Sequence, residues 1–463
     1  MTIRAIPYRD PPAAFQPFAE DLVAAFPDNA APSGGERRVS YIAADPFCVI
    51  EASARGATVD GRAVKGDPFA VLACEMRAYA DFALADKPVP FAGGAAGYLG
   101  FELGDHLERL PPPPGDALGL PRMMIGFYDA VAAFDQDRHE AWVLHLDRPG
   151  AAEKAERLAQ KIAAAPERLP APARVSWQAN TWQPELARAE VERRIAHIID
   201  YIHAGDIFQA NFTQRFRAVR PAGLGDWEIY RRLRALSPAP CAAFLRCGDG
   251  LSVASASPEC FLRLDAEGHA ESFPIKGTRP RDADPARDAA LAYELKASAK
   301  DRAENLMIVD LMRNDLSRVC APGSVKVPKL CALQSFASVH HLVSAVTGRM
   351  RAGLGAVDLL RAAFPGGSVS GAPKIRALEI IRELEPAPRG VYCGAIGWIG
   401  FDQAMEMSMA IRTLTLAGDT ILAQAGGGIV ADSDPAAEYE ESMAKMEPLL
   451  QAVAGTRADE AAA

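Results

Sequence analysis

ELARAEVERRIAHIIDYIHAGD (residues 185–206) is followed by FQANFTQRFRAV (208–219), CAAFLRC (241–247), LSVASAS (251–257) and ECFLRL (259–264). The first segment places Val191, Ile195, Ile198 and Ile202 on one helical stripe, and Gly205 stops it. The four that follow read as strands, one after another, with no helix between most of them. Strict strand–helix alternation would imply a doubly wound parallel sheet; this pattern predicts a large α+β fold instead. Further along, helices are expected over about 287–314, from near Pro373, and over about 435–453.

Working back towards residue 1, the texture changes twice. Residues 151–165 (AAEKAERLAQKIAAA) are strong helix formers, and ERLPAPAR (167–174) reads as an exposed connector. Before them lie short β-type runs: VSYIAADPFCVIEAS (39–53), AAGYLGFEL (95–103), MMIGFYDAVAAF (123–134) and EAWVLHL (140–146). A helix over about 69–82 interrupts them, and the proline run 111–114 marks a loop, because proline cannot feed a sheet ladder. The expected organisation is therefore a β-rich N-terminal unit (1–147), a helix and linker (148–184), a second unit (185–453) and a frayed tail (454–463).

The 463 residues carry 50 basic and 59 acidic side chains, a net charge of −9, so the surface as a whole lacks the basic face that sequence-independent nucleic-acid binding needs. Eight cysteines are scattered with no C-x-x-C pair, which argues against a structural zinc site or a secreted disulfide scaffold. Three prolines in MTIRAIPYRDPPAAF stand where a signal peptide needs an apolar core, and the apolar run 390–401 is too short and glycine-broken to cross a bilayer. The expectation is a cytoplasmic protein with neither nucleic-acid nor membrane partners.

Several local features point to chemistry. Gly366 to Gly371 contains half of a P-loop, but Ala372-Pro373 replaces the phosphate-gripping lysine, so nucleotide chemistry is disfavoured. What remains is a glycine loop entering a helix with proline at its first position, where free amides favour an anion. Gly426-Gly427-Gly428 offers bare backbone to a ligand. Asp301 and Glu304 share one helical face, as do Glu438 and Glu441. Each pair alone reads as solvated surface; brought together, the two faces would form an all-oxygen site suited to Mg²⁺. Lys276, between Ile275 and Gly277, sits at a strand corner. Turned inward, its ammonium form would be disfavoured, leaving an amine nucleophile, with Glu259 as a matching proton donor.

Taken in order, SPECF, FPIKGTRPR, ENLMIVDLMRNDLSRVC, VHHLVSAV, FPGGSVSGAPKIRALEII, YCGAIGW, IRTL and QAGGGIVADSDPAAEYEES resemble the chorismate-utilising enzymes, strongly over about 185–450 and weakly before that. The resemblance implies an α+β fold with a large antiparallel β-sandwich, helices packed outside, and an active site between the layers. It implies Glu304 and Glu441 as direct Mg²⁺ ligands, with Glu438 and Asp301 supporting them; aspartate stands at 301 where glutamate is usual. By the same route Glu259 is the general acid, and His341 contacts the substrate ring. Tyr392, Arg412 and the amides of Gly426 and Gly428 take the enolpyruvyl carboxylate, while Ser368 keeps the hydroxyl of a usual threonine and Thr278 belongs to the binding set. Gln209, placed in the same substrate-binding set, replaces the lysine of water-adding members, which disfavours isochorismate or salicylate formation. Lys276 replaces the alanine of anthranilate-forming members and marks the aminodeoxychorismate-forming branch. There a lysine adds to C2 of chorismate as the 4-hydroxyl leaves, and ammonia then enters at C4. No G-x-C-x-G turn surrounds any cysteine, so ammonia is expected from solution or from a glutamine amidotransferase partner. Alternatives left open are anthranilate formation and a non-catalytic chorismate-binding subunit. Tryptophan-inhibited members carry an L-L-E-S type motif; AAFPDNAAPSGGE (24–36) stands there instead, implying no such control and at most a vestigial apolar pocket.

Overall fold

The computed structural model describes all residues except 1, 32–36, 83–86, 116–117, 174, 177, 179–180, 337–338 and 456–463. The expected frayed tail lies largely outside the described residues. Strands alternate their side chains between two faces, and that period sorts the molecule into layers. Ala25, Ala243 and Leu245 of one sheet meet Ala96, Tyr98, Ile396 and Trp398 of the other in a shared inner core. Their neighbours Ala24, Phe26 and Phe244 face outward beneath helices Ala151–Ala164, Asp226–Leu236 and Pro435–Ala454. Ala95, Leu99 and Ile125 face the opposite way, beneath helices Pro68–Ala78, Ala299–Ser317 and Ala356–Ala363. The result is helix, sheet, sheet, helix: an α+β sandwich whose strand pairings, among the described residues, are antiparallel throughout.

The two sheets interleave the chain. Val23–Asp28 is hydrogen-bonded to Val39–Ala44 on one side and to Cys241–Cys247 on the other. Gly94–Leu99 pairs with Met123–Tyr128 and, from across the connector, with Ala395–Gly400. Segments before and after the 148–184 linker thus share one ladder in each sheet.

Three helices differ from expectation. The pattern over 287–314 is two helices, Pro285–Ala297 and Ala299–Ser317, because the Ser298 hydroxyl accepts from the Asp301 amide and caps a fresh start. In the second of these, Leu306 beside Glu304 is exposed, and burial comes from Asn305, Ile308, Val309 and Met312. Pro373 is the N-cap rather than the first residue of Lys374–Leu384, and Gly371–Ala372 pairs with Gln209 and Ala210. Among the described residues no helix is long and apolar enough to cross a membrane.

The chain leaves the first sheet at Ser257, turns through Pro258 and Glu259, and enters the second at Cys260. Near this corner the strands Ile275–Pro280, Val339–Arg349 and Thr420–Ile429 converge. The helix Ala299–Ser317 packs on the second sheet and Pro435–Ala454 on the first.

Candidate active site

A cavity of about 570 Å³ opens between these elements. Glu259, Lys276, Thr278, Asp301, Glu304, His341, Ser368, Tyr392, Arg412, Gly426, Gly428, Glu438 and Glu441 all line it. Gln209 is not among the lining residues: it stands behind Gly428, fully buried, with neither side-chain amide atom hydrogen-bonded. A Cβ built on Gly428 would lie 1.8 Å from Gln209 Nε2 and 3.0 Å from Lys276 Nζ, so both side chains converge on a gap that only glycine leaves. Gly426 is needed for a different reason, since a Cβ there would fall 1.9 Å from the Phe212 carbonyl oxygen across the ladder.

Lys276 points inward, 13% exposed, with Nζ 3.9 Å from Glu304 Oε2. Glu259 accepts the Ser368 hydroxyl at 2.8 Å. Burial outweighs that bond and the Lys276 charge, pushing the carboxyl up to about 7, so it carries a proton to near neutrality. His340 and His341 project to opposite faces of one strand. His341 faces the cavity, its Nδ1 2.9 Å from Thr278 Oγ1 and 3.3 Å from the Gly277 carbonyl, while His340 turns away to Ser335 and Asp288. Burial lowers His341 to about 4, so it presents a neutral imidazole. Arg412 adopts left-handed backbone (φ 50°), and burial pushes its guanidinium below its ordinary range. A strained, desolvated cation beside bare glycine amides is a place for an anion.

The four acids do not stand as an uncompensated cluster. Arg279 approaches Asp301 at 3.4 Å, Lys276 approaches Glu304, Lys300 reaches Glu438 at 3.7 Å, and Lys445 bonds Glu441 at 2.8 Å. Glu438 also accepts the Ser433 hydroxyl at 2.7 Å. Burial raises Glu304 despite the lysines around it, whereas Lys445 holds Glu441 below its ordinary range against the opposing effect of burial. Among the described residues no three His, Cys, Asp or Glu side chains are gathered closely enough to grip a metal by themselves. An all-oxygen donor set of this kind fits an ion that keeps several waters and takes one or two carboxylates, which is the habit of Mg²⁺.

Lys300, Lys445 and Arg279 were missed in the sequence. Lys445 lies four residues after Glu441 and Lys300 one before Asp301, so helical spacing was the available signal for the first. The N-terminus of helix Lys374–Leu384 does not line the cavity, although Ser368 and Val369 of the glycine loop before it do. A separate cavity of about 240 Å³ is bounded by Asn29, Arg263, Lys329, Gln334 and Glu406. Its lining is mixed, with Pro240, Pro258, Phe273, Ile275, Phe336 and Val343 among the polar groups; of the stretch 24–36 Asn29 borders it, and 32–36 lie outside the described residues.

A family model for chorismate binding enzymes matches residues 30–451. The chain belongs to the chorismate-binding enzyme family. It is 41% identical over 452 residues to aminodeoxychorismate synthase component 1 of Klebsiella aerogenes, covering 96% of both chains. It is 40% identical to anthranilate synthase component 1 of Streptomyces coelicolor, covering 91% of this chain and 82% of that one. The crystal structure of anthranilate synthase component I from Streptococcus pneumoniae superposes with a TM-score of 0.77 at 30% identity, over 90% of this chain and 93% of that one. As a chorismate-binding enzyme the chain has the expected sandwich. Overall identity to the two named activities is nearly equal, so the choice between them falls to individual cavity residues.

Proposed function

We propose that this chorismate-binding enzyme is component I of an aminodeoxychorismate synthase, converting chorismate and ammonia to 4-amino-4-deoxychorismate for 4-aminobenzoate and folate synthesis. One observation carries the choice: position 276 is a lysine, and its amino group lies inside the cavity within reach of Glu304 and on the same wall as Gly428. Lys276 Nζ attacks C2 of the ring while Glu259, held protonated by burial, gives its proton to the departing 4-hydroxyl. Ammonia then attacks C4 and expels the lysine, which regains its free amine. Two allylic displacements return nitrogen to the carbon that lost oxygen. With alanine at this position ammonia would have room to attack C2 directly.

Arg412 and the amides of Gly426 and Gly428 hold the enolpyruvyl carboxylate with Tyr392, and neutral His341, fixed by Thr278, packs against the ring. Gln209 has no basic nitrogen and so does not activate water. Glu304 and Glu441, backed by Glu438 and Asp301, would hold Mg²⁺. Bound there, the ion supplies positive charge for the ring carboxylate of chorismate. Ammonia is delivered by a glutamine amidotransferase subunit, and the enzyme works in the cytoplasm.

The test is incubation with chorismate, ammonium and Mg²⁺, followed by mass analysis. Aminodeoxychorismate as the product, together with a covalent adduct on the Lys276 peptide when ammonia is withheld, supports the proposal. Anthranilate fluorescence without added lyase would favour the second reading, anthranilate synthase component I, which the Streptomyces and Streptococcus relatives keep in view.

A further inference from the structure

Arg389 stands behind the wall of the larger cavity, 2% exposed, just beyond helix Lys374–Leu384. It does not line the cavity itself, but it holds three separate segments that do. Its Nη1 donates to the Val369 carbonyl at 2.6 Å, and its Nη2 donates to the Asn211 carbonyl at 2.6 Å. Its own carbonyl accepts from Gln424 Nε2 at 2.8 Å. Val369, Asn211 and Gln424 all face the cavity. Val369 follows Ser368, whose hydroxyl is bonded to Glu259, and Asn211 stands opposite Gly428 in the ladder. The guanidinium rests over Phe101, 4.4 Å from the ring centre. Its charge is answered in place: Nε and Nη2 bond the two oxygens of Glu385 at 2.9 and 2.7 Å, and Glu385 also accepts the amide and hydroxyl of Thr213 at 3.0 Å each. No step of the proposed reaction uses Arg389.

We propose that Arg389 is a positioning residue: by gripping the Val369 carbonyl it keeps the Ser368 hydroxyl on Glu259, and so fixes where that carboxyl meets the substrate. The last clause rests on the role of Glu259 in the reaction above. Because Glu385 neutralises the guanidinium, Arg389 reaches the site through geometry and not through an unbalanced charge. Its planar fork serves four oxygens in fixed directions, two on Glu385 and two on the backbone. A lysine ammonium is a single point on a flexible stem and cannot reproduce that set. With the grip lost, the Gly366–Ser370 loop is free to shift, and a displacement of about 1 Å in a reacting group costs about a hundredfold in rate. The loss also has a signature at Glu259. Burial raises that carboxyl, and the Ser368 hydrogen bond and the Lys276 charge oppose it, so releasing Ser368 sends it higher still.

The experiment compares Arg389→Lys, Ser368→Ala and the double variant, each as the full chain. Carbon-13 NMR of labelled glutamate, assigned with Glu259→Gln, titrates the Glu259 carboxyl without substrate. Turnover of chorismate with ammonium and Mg²⁺ gives kcat and KM. Arg389→Lys should raise the Glu259 midpoint in the same direction as Ser368→Ala and lower kcat by about a hundredfold, with KM changed far less. The double variant should be no slower than Ser368→Ala alone. A purely structural role would lower the folded fraction, leave the midpoint in place and multiply with the Ser368→Ala loss. Either an unmoved midpoint or multiplying losses overturns the proposal. Should Arg389→Lys fail to fold, Phe101→Leu removes the ring beneath the guanidinium, keeps the ion pair, and is decided by the same two outcomes. A raised midpoint with unchanged turnover upholds the grip on Ser368 and counts against the general-acid role of Glu259.

Discussion

Glu259 holds its proton because the fold strips water from it, and that has opposite consequences for rate and for stability. Its carboxyl sits at about 7 in the folded chain against an ordinary 4.5. The folded state therefore binds more protons than the unfolded one between those values, and stability falls as pH rises through that window. At one pH unit per 1.36 kcal/mol, the full loss above neutrality is up to about 3 kcal/mol. Glu259→Gln keeps an acceptor for Ser368 and removes the penalty. It should unfold later than the parent at pH 8 in urea titrations while losing on the order of 10²- to 10⁴-fold in turnover. On the proposed general-acid role, turnover in the parent should decline as pH rises past about 7; a profile flat from pH 6 to 8.5 would contradict that role. Lys276→Ala should lower aminodeoxychorismate formation more than about tenfold and let anthranilate appear, read by chromatography of the products. At this scale the sequence was informative where a residue type carries its own chemistry, as at Lys276 and Glu259. It marked Gln209 through the family resemblance but gave no sign of its burial or unmet amide, which lie against Gly428 on a strand some two hundred residues away.

Helices Ala299–Ser317 and Pro435–Ala454 carry the acids, and each also carries a base that answers an acid across or along the cavity. In the proposed metal set, Glu304→Gln removes one of the two carboxylates that would meet Mg²⁺ directly. Half-maximal activity should then require at least about tenfold more Mg²⁺, with turnover reduced at saturation; an unchanged titration would remove Glu304 from the metal set. The strand Thr420–Ile429 shows how tightly an element can be fixed. Gly426→Ala would drive a methyl group into the Phe212 carbonyl, so a loss of about 1–3 kcal/mol is expected from thermal unfolding even without substrate. Periodicity made the acidic helices legible, since i, i+3 spacing needs no tertiary information. It did not reveal the break at Ser298, because a serine inside an otherwise helical run announces a cap only once the amide it accepts from is known.

At the level of the whole molecule, the absence of βα alternation foretold an α+β fold and the family resemblance a sandwich, but neither said which strands would be neighbours. Nothing local to Val23–Asp28 says that it will lie between Val39–Ala44 and Cys241–Cys247. Because both sheets mix early and late segments, urea unfolding followed by tryptophan fluorescence and by far-ultraviolet dichroism should give coincident single transitions. Two separated steps would mean that the ladders uncouple. The same interleaving bears on synthesis. When residues 1–150 have left the ribosome, Val23–Asp28 has a naked edge, and its pairing partner is still to be translated. At usual elongation speeds the wait is on the order of ten seconds, during which an apolar strand edge is available to any passing chain. Yield in a cell should accordingly respond to chaperone supply and growth temperature more than the stability of the finished protein would suggest.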